Sequence, residues 1–202
     1  MCRIRANNDF DILFMKKVNV YDFDGTIYDG DSSVDFFKFA ISKKWYICFR
    51  VIPISGAALL YFFKIRNKEY FKSKFFSFVK NISDVDSFVK EFWDKNEKKI
   101  KHFYLKEHNN SDYIVSASPD FLLREIAKRL DFNLIATEVD PKTGKLKSKN
   151  CHGEEKVKKI KSLGIGVEKF YSDSLADTPM SKIAEHSFMV KGDKIIPWDK
   201  NS

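Results

Sequence analysis

Four aspartates fall within ten residues, 22–31, directly after a short run with the pattern of a buried strand. Residues two apart on a strand point the same way, so Asp22 and Asp24 are expected to share one face at the strand's end. Gly25 then allows a sharp turn, and Thr26 adds a hydroxyl. Carboxylates this close repel one another unless a cation lies among them, and oxygen ligands suit Mg²⁺. The stretch therefore predicts a ligand site at the carboxyl end of a strand, where open α/β sheets bind ligands.

Of two other interpretations of the acidic stretch, the first fails on spacing and the second stays open. A calcium loop of the EF-hand type needs Gly at its sixth position and Glu at its twelfth, but counting from Asp22 these positions hold Ile27 and Ser33. The preceding segment is also strand-like, whereas an EF-hand loop follows a helix. A solvated acidic turn without chemical meaning is the simpler alternative, and the aspartates alone do not decide against it.

The composition is that of a folded protein with a basic surface. Apolar residues make up 44% of the 202 residues and aromatic residues 15%, which is enough to build a core. The net charge of +8 includes lysines along the whole chain, so we interpret it first as a solvated surface and second as a general attraction for anions. Three scattered cysteines, Cys2, Cys48 and Cys151, argue against a disulfide framework or a zinc site and favour the reducing cytoplasm.

The sequence pattern divides the chain into three parts. Residues 1–14 are expected to be a dispensable extension, because Met15 would itself be a natural start just before the first strand. Residues 33–105 are dense in aromatic residues and lysine, and their spacing predicts helices. Residues 15–32 and 106–202 have the strand signals of a core domain.

Helical spacing is clearest near the end of the 33–105 block. Ser83 is the predicted N-cap of an amphipathic helix. The apolar positions that define this helix are Val85, Phe88, Val89, Phe92 and Trp93.

One apolar segment, residues 45–63, is almost long enough to cross a membrane. It has a single charge, Arg50, in nineteen residues, against the roughly 20 that a spanning helix needs. Pro53 and Gly56 argue against a span, and so does Arg50, because a central arginine costs about 2.5–3.5 kcal/mol on insertion scales. We expect first a buried or partner-facing helix and second an interfacial segment.

Strand signals return after the helical block, and polar residues again follow them. Ser116 comes directly after a strand at Tyr113–Val115 and before a helix, where it is either a phosphate ligand or an ordinary turn residue. Lys156 lies near the start of a short helix and by itself would be a surface lysine. Asp173 and Asp177 follow a further strand as a second acidic pair. Side chains at such strand and helix ends can converge on one crevice.

Taken in order, these residues resemble the motifs of the haloacid dehalogenase superfamily of phosphatases, in its phosphoserine-phosphatase-like branch. The four motifs are D-F-D-G-T at residues 22–26, Ser116, Lys156, and the pair Asp173 and Asp177. The resemblance covers about residues 15–200. It implies an α/β fold with a Rossmann-like parallel-sheet core and an inserted α-helical cap, residues 33–105.

The resemblance also implies a role for each matching residue. Asp22 would be the nucleophile that attacks phosphorus, and Asp24 the acid for the leaving group and then the base for water. The phosphoryl oxygens would be held by Ser116, Lys156 and Thr26. The implied cofactor is Mg²⁺, with Asp22, Asp24 through its backbone carbonyl, Asp173 and, in support, Asp177 as the metal-site residues.

The implied activity is Mg²⁺-dependent hydrolysis of phosphate monoesters through an aspartyl-phosphate intermediate, in the cytoplasm. Asp24 favours a phosphatase over a dehalogenase, because cleavage at carbon does not need a leaving-group acid. The cap would close over the site and select the substrate.

Two substrate classes are compatible with these residues. Asp31, seven positions after Asp24, matches the acidic residue that binds the substrate's amino group in phosphoserine phosphatases. The arginine that would bind the serine carboxylate has no evident counterpart, however. The aromatic residues and lysines of residues 45–79 suit an anionic head group with an apolar portion, such as the lipid phosphatidylglycerophosphate.

A non-enzymatic function is the alternative. The chain would then be a basic protein that binds anionic membrane or nucleic acid, with a vestigial acidic site. No nucleic-acid-binding motif supports this alternative, so nucleic acid is not expected as a partner. The expected partner is a phosphorylated small molecule or lipid head group, with peripheral membrane contact as an option, and the sequence does not fix the oligomeric state.

Overall fold

Residues 16–199, which the computed structural model describes, are built around a six-stranded sheet. Its strands lie in the order β3-β2-β1-β4-β5-β6, and all pairs are parallel except the pair of β5 and β6. The strands are β1 Lys17–Tyr21, β2 Tyr113–Pro119, β3 Asn133–Thr137, β4 Gly166–Ser172, β5 Ala184–Lys191 and β6 Lys194–Pro197. The predicted extension, residues 1–14, lies outside the described residues.

Strand β1 lies at the centre of the sheet because both of its faces are apolar. Val18 and Val20 are buried on one face, and Tyr21 is buried on the other. Parallel sheets require cover on both faces, which gives their inner strands this apolar character. Strands β2 and β4 flank β1 in parallel, so the polar residues at the carboxyl ends of these three strands lie side by side.

Eight α-helices and four 3₁₀ segments occur within residues 16–199. The helices are α1 Ser32–Lys43, α2 Val51–Phe62, α3 Lys68–Phe75, α4 Val85–Asn96, α5 His102–Glu107, α6 Asp120–Leu130, α7 Glu154–Ser162 and α8 Thr178–Ile183. The 3₁₀ segments are Trp45–Arg50, Phe76–Asn81, Glu97–Lys99 and Leu175–Asp177. Helices α1–α5 follow β1 and precede β2, and we call residues 32–107 the helical insertion. The predicted fold class, a Rossmann-like α/β core with inserted helices, is confirmed.

The helical insertion shares a hydrophobic core with the sheet. Trp93 of α4 is fully buried, and its indole N–H donates a 2.7 Å hydrogen bond to the carbonyl of Leu122 in α6. The Trp93 ring also packs edge-on against Phe23 and Tyr28 from the turn after β1. These contacts fix α4 against the elements that carry the acidic stretch.

The predicted helix around Val85–Trp93 is confirmed as α4, but its N-cap differs from the prediction. The cap is Asp84, whose carboxylate accepts a 3.1 Å hydrogen bond from the backbone N–H of Ser87. Ser83 lies one residue too early for this contact. A charged cap also interacts favourably with the positive end of the helix dipole.

The apolar segment of residues 45–63 is exposed, so the prediction of a buried helix is wrong. The segment forms the 3₁₀ turn Trp45–Arg50 and helix α2, in which Ile47 and Ala57 are the buried residues. Trp45–Phe62 is the one helical stretch among the described residues that is long and apolar enough to cross a membrane, with a mean hydropathy of 1.5, and 11% of it is buried. The alternatives of a partner-facing helix and an interfacial segment stay open.

Candidate active site

A cavity of about 420 Å³ lies at the carboxyl ends of β1, β2 and β4, beside α3 and the start of α7. Among the predicted site residues, those that line it are Asp22, Asp24, Asp31, Ser116, Lys156 and Asp177. Its other lining residues are Ser33, Val34, Lys68, Phe71, Lys72, Phe75, Phe76, Ala117, Ser118, His152 and Ser174. Thr26 and Asp173 are not among the lining residues: Thr26 is fully buried in the turn after β1, and Asp173 is exposed in the loop after β4.

The Lys156 side chain lies between two carboxylates. Its Nζ donates to Asp22 Oδ1 at 2.6 Å and to Asp177 Oδ2 at 2.7 Å, and the residue is 2% exposed. Burial by itself lowers the pKa of Lys156, but the two carboxylates outweigh burial, and the net effect raises the pKa. Lys156 therefore stays charged and holds the Asp22 carboxylate in one position.

The Asp22 carboxyl lies in a strongly negative environment. Burial raises the pKa of Asp22, the Lys156 charge opposes this rise, and Asp177 and Asp24 add to it. One ammonium group is shared by two carboxylates, and a third lies close by. A divalent cation would balance the remaining negative charge.

Two groups hold the side chain of Asp24. The hydroxyl of Ser118 donates to Oδ2, and the backbone N–H of Ser32 donates to Oδ1 at 2.6 Å. Burial and the nearby Asp31 carboxylate raise the pKa of Asp24, the two hydrogen bonds oppose this rise, and the net pKa is about 6. Sequence reasoning missed Ser118, although the spacing from Ser116 on the same strand places both side chains on one face. Ser116 is buried, and its hydroxyl accepts a 3.0 Å hydrogen bond from the N–H of Ser118.

The turn after β1 positions Asp173. The Asp173 backbone N–H donates to Thr26 Oγ1 at 2.9 Å, and the same hydroxyl lies 3.4 Å from Asp173 Oδ1. Gly25 has a φ of +73°, and a Cβ on this residue would overlap the Asp173 carboxylate. Lys101, which is buried, donates to the Gly25 carbonyl at 2.6 Å. Gly25 thus leaves the space in which the Asp173 carboxylate lies beside the turn.

The carboxylates present suit Mg²⁺. Tyr21 pairs with Tyr171, so Asp22 and Asp173 follow the ends of neighbouring strands. No group of three or more His, Cys, Asp or Glu side chains within residues 16–199 is arranged to hold a metal alone. Asp22 and Asp173 supply two hard carboxylates, and Mg²⁺ usually binds to one or two carboxylates while it retains waters and takes phosphate oxygens.

One predicted role needs correction, and a second residue has an additional structural contact. Thr26 was expected to hold a phosphoryl oxygen, but it is fully buried and its hydroxyl is bonded to Asp173. Thr26 therefore positions the Asp173 loop. Asp177 was expected to support the metal through water or hydrogen bonds, and that role stays a prediction; its Oδ2 accepts hydrogen bonds from Lys156 at 2.7 Å and from Ser172 Oγ at 2.8 Å. Asp177 is 2% exposed and orients Lys156.

Helix α3 contributes four cavity residues from the region, 45–79, whose aromatic residues and lysines were expected to contact the substrate, although Lys68, Phe71 and Lys72 were not predicted individually. These four residues lie on one helical face, because their spacing is i, i+3, i+4 and i+7. They are Lys68, Phe71, Lys72 and Phe75. Lys72 Nζ donates to the Ala117 carbonyl at 2.7 Å and to an Asn150 side chain at 2.7 Å. Burial and, to a smaller extent, the nearby charge of Lys68 together lower the pKa of Lys72 to about 8. The i, i+3, i+4, i+7 spacing in the sequence was the signal for this face.

Asp31 has a structural contact as well as a place in the cavity. Its Oδ1 accepts a 2.9 Å hydrogen bond from the backbone N–H of Val34 and thereby caps α1. A substrate would meet a carboxylate that is already fixed by this cap. Its role in substrate selection stays a prediction.

Residues 20–182 match the sequence profile of the haloacid dehalogenase-like hydrolases. The chain belongs to this family. The match confirms the resemblance to the haloacid dehalogenase superfamily that the four motifs indicated and, with it, the prediction of an enzyme of the hydrolase class. None of the curated proteins matches the sequence.

Solved structures share the fold at low sequence identity. A protein of unknown function from Bordetella pertussis Tohama I has a TM-score of 0.68 at 18% identity, over 86% of this chain and 89% of its own. A phosphoserine phosphohydrolase-like protein from Francisella tularensis has a TM-score of 0.57 at 16% identity, over 85% of each chain. A phospho-aspartyl intermediate analogue of phosphoserine phosphatase has a TM-score of 0.52 at 19% identity, over 86% of this chain and 85% of its own.

The packing of Gly25 against Asp173 gives a direct test of the loop geometry. We expect Gly25→Ala to lower kcat at least about tenfold, because the added methyl group displaces the Asp173 carboxylate and strains a positive φ. The measurement is turnover of p-nitrophenyl phosphate with Mg²⁺. Gly56→Ala is the matched control, since a Cβ there meets no atom within 4 Å, and it should keep wild-type kcat. Wild-type turnover by Gly25→Ala would show that the Asp173 position is unimportant.

Proposed function

We propose that this phosphatase hydrolyses phosphate monoesters with Mg²⁺ through an aspartyl-phosphate at Asp22. The observation that carries the proposal is the placement of Asp22 and Asp24 on one cavity, with Lys156 fixing the first carboxylate and Ser118 the second. Two carboxyl groups two residues apart are thereby given different partners. This difference allows one to act as nucleophile and the other to transfer protons.

In the first step, a carboxylate oxygen of Asp22 forms a bond to phosphorus while the bond from phosphorus to the ester oxygen breaks. Asp24 donates its proton to the departing ester oxygen, which leaves as an alcohol. In the second step, Asp24 takes a proton from water, and the water oxygen attacks phosphorus. The bond from phosphorus to Asp22 breaks, which releases phosphate and regenerates the Asp22 carboxylate.

The remaining cavity residues stabilise and orient the phosphoryl group. Ser116, in the middle of β2, and Lys156 both line the cavity, so their side chains can contact the phosphoryl oxygens. Mg²⁺, held by Asp22, Asp173 and the Asp24 carbonyl, would neutralise charge on the phosphoryl group. Asp177 and Ser172 keep Lys156 directed at Asp22. The alternative of a vestigial binding site would require catalytic positions to be lost, but Asp22, Asp24, Ser116 and Lys156 all line the cavity.

We further propose that the substrate has a second anionic group and an apolar portion. Lys68 and Lys72 bring two cationic side chains to the cavity, and Phe71 and Phe75 bring two aromatic rings. No arginine lines the cavity among the described residues, so these lysines would bind the second anion. Both a phosphoserine-like molecule and a lipid-linked phosphate have such a group, and the rings favour the lipid-linked class. The cytoplasm is the proposed location of the reaction.

Turnover of p-nitrophenyl phosphate tests the proposed reaction. We expect hydrolysis that requires Mg²⁺ and stops with EDTA, and we expect Asp22→Asn to lower kcat at least about a thousandfold, or about 4 kcal/mol of transition-state stabilisation. Asp29→Asn is the matched control, because Asp29 is exposed and lies outside the cavity lining. Full activity in EDTA, or more than a tenth of wild-type kcat in Asp22→Asn, would overturn the proposed mechanism.

The pKa of Lys72 gives a test of the second anionic group. The charged form of Lys72 is present below about pH 8 and is lost as the pH rises through that value. KM for phosphoserine, whose carboxylate is a second anion, should therefore rise above pH 8, while KM for p-nitrophenyl phosphate should not show this dependence. Lys72→Met should raise KM for phosphoserine by about tenfold, which is about 1.4 kcal/mol of binding.

Two variants control the Lys72 experiment. Lys72→Arg stays charged at high pH and should remove the rise in KM. Lys74→Met removes a lysine from the same helix that does not line the cavity, and it should leave KM unchanged. An equal effect of Lys72→Met on both substrates would contradict the assignment.

A further inference from the structure

Helix α2 and its flanks expose a large apolar surface. Its most exposed side chains are Trp45 at 70%, Phe49 at 62%, Ile52 at 75%, Phe62 at 78%, Phe63 at 63% and Ile65 at 64%, and we call these six residues the aromatic face. They come from a single stretch of 21 residues, 45–65. A monomeric soluble protein rarely leaves so extended an apolar surface in water, and such surfaces mark contacts with a protein or a membrane.

Most of the net charge of the chain comes from the sequence segment that carries the aromatic face. Residues 36–68 contain seven basic residues and no Asp or Glu, so they contribute +7 of the net charge of +8, and the rest of the chain contributes +1. The basic residues are Lys38, Lys43, Lys44, Arg50, Lys64, Arg66 and Lys68. Lys38 and Lys43 form ion pairs with Asp35 and Glu91, while Lys64 and Arg66 are exposed. An apolar surface with this charge complements an anionic lipid bilayer.

The order of residues along the segment suits contact with a lipid bilayer. Lys43 and Lys44 precede Trp45 at one end, and Lys64 and Arg66 follow Phe63 at the other. Basic side chains at the ends of an apolar helix can reach the lipid head groups, and Trp favours the same depth.

Contacts inside the segment favour a surface position over a span. The guanidinium of Arg50 donates from Nε and Nη2 to the side-chain carbonyl of Asn81 at 3.3 and 3.2 Å. Ile47, in the same turn, is fully buried in the core of the insertion. A spanning helix would have to break these contacts and place Arg50 in hydrocarbon.

We propose that the aromatic face docks this protein into the surface of an anionic lipid bilayer. The docked helix would lie beside the active-site cavity, because the Tyr61 ring of α2 stacks on Phe71 of α3 at 6.0 Å and Phe71 lines the cavity. Docking itself does not depend on the reaction proposed for the cavity. If both are correct, a phosphorylated group at the bilayer surface lies within reach of the site.

Vesicle binding by the full chain tests the proposal. We expect the protein to sediment with vesicles of phosphatidylcholine and phosphatidylglycerol, to sediment less with phosphatidylcholine alone, and to be released by salt. The double variant Ile52→Ser, Phe62→Ser should lower the partition coefficient at least about tenfold. Leu163→Ser is the matched control, because Leu163 is 48% exposed and lies outside the aromatic face, and it should bind like wild type.

Trp45 gives an independent signal from the aromatic face. It is 70% exposed, whereas Trp93 and Trp198 are buried, so a blue shift of tryptophan emission on anionic vesicles should arise from Trp45 and disappear in Trp45→Phe. The variant Lys64→Glu, Arg66→Glu should weaken binding without altering an apolar side chain. Both double variants change exposed residues, so the thermal midpoint and the turnover of p-nitrophenyl phosphate should stay at wild-type values.

Three results would overturn the proposal. The first is equal sedimentation of wild type and the Ile52→Ser, Phe62→Ser variant with anionic vesicles, or no sedimentation of either. The second is a wild-type dimer that this variant converts to a monomer without any vesicle binding, since a second copy would then cover the face. The third is bound protein that resists extraction at alkaline pH, which would indicate a spanning helix. Loss of p-nitrophenyl phosphate turnover in an Asp22→Asn protein that still binds vesicles would leave docking supported.

Discussion

One buried ammonium group, that of Lys156, connects the three elements on which the active site depends. It pairs with Asp22 after β1 and with Asp177 after β4, while Lys156 itself lies on α7. A buried charge is costly unless it is paired, and removing one partner of such a pair costs roughly 3–5 kcal/mol. The loops after β1 and β4 are therefore held at a fixed separation, and the cavity between them has a defined set of carboxylates.

Other contacts give each carboxylate of the active site its own environment. Asp22 faces an ammonium group, Asp24 faces a hydroxyl and a backbone N–H, and Asp173 lies against a glycine that leaves room for its side chain. The negative charge that remains favours binding of a cation together with an anionic substrate. The helical insertion contributes to both the cavity and the protein surface. Helix α3 brings lysines and aromatic rings to the cavity, and α2, which packs on α3, exposes the aromatic face.

Much of this arrangement was predictable from local sequence patterns, and the rest depended on tertiary contacts. Strand and helix spacing located β1, α4 and α7, and the order of Asp22, Ser116, Lys156 and Asp173 indicated the family. The role of Thr26 was not predictable from the sequence, because the hydroxyl of a turn residue can face a ligand or a neighbouring loop. Here the Thr26 hydroxyl accepts a hydrogen bond from the backbone N–H of Asp173. The apolar content likewise predicted a helix at residues 45–63 but did not predict that this helix is exposed. Composition alone does not show whether another part of the protein packs against a helix. Lys68 and Lys72 were hidden among many surface lysines until the fold placed α3 at the cavity.

The proposed mechanism requires that the Asp22 carboxylate itself forms a covalent bond to the phosphoryl group. The most direct measurement is peptide mass spectrometry after acid quench of wild type and Asp24→Asn during turnover of p-nitrophenyl phosphate with Mg²⁺. We expect one added phosphoryl group on the peptide that contains Asp22, and more of it in Asp24→Asn, because that variant has lost the base that activates water. A phosphoryl group on another residue would contradict the assignment of Asp22 as the nucleophile. So would the absence of a phosphoryl group from both proteins at every quench time while hydrolysis proceeds.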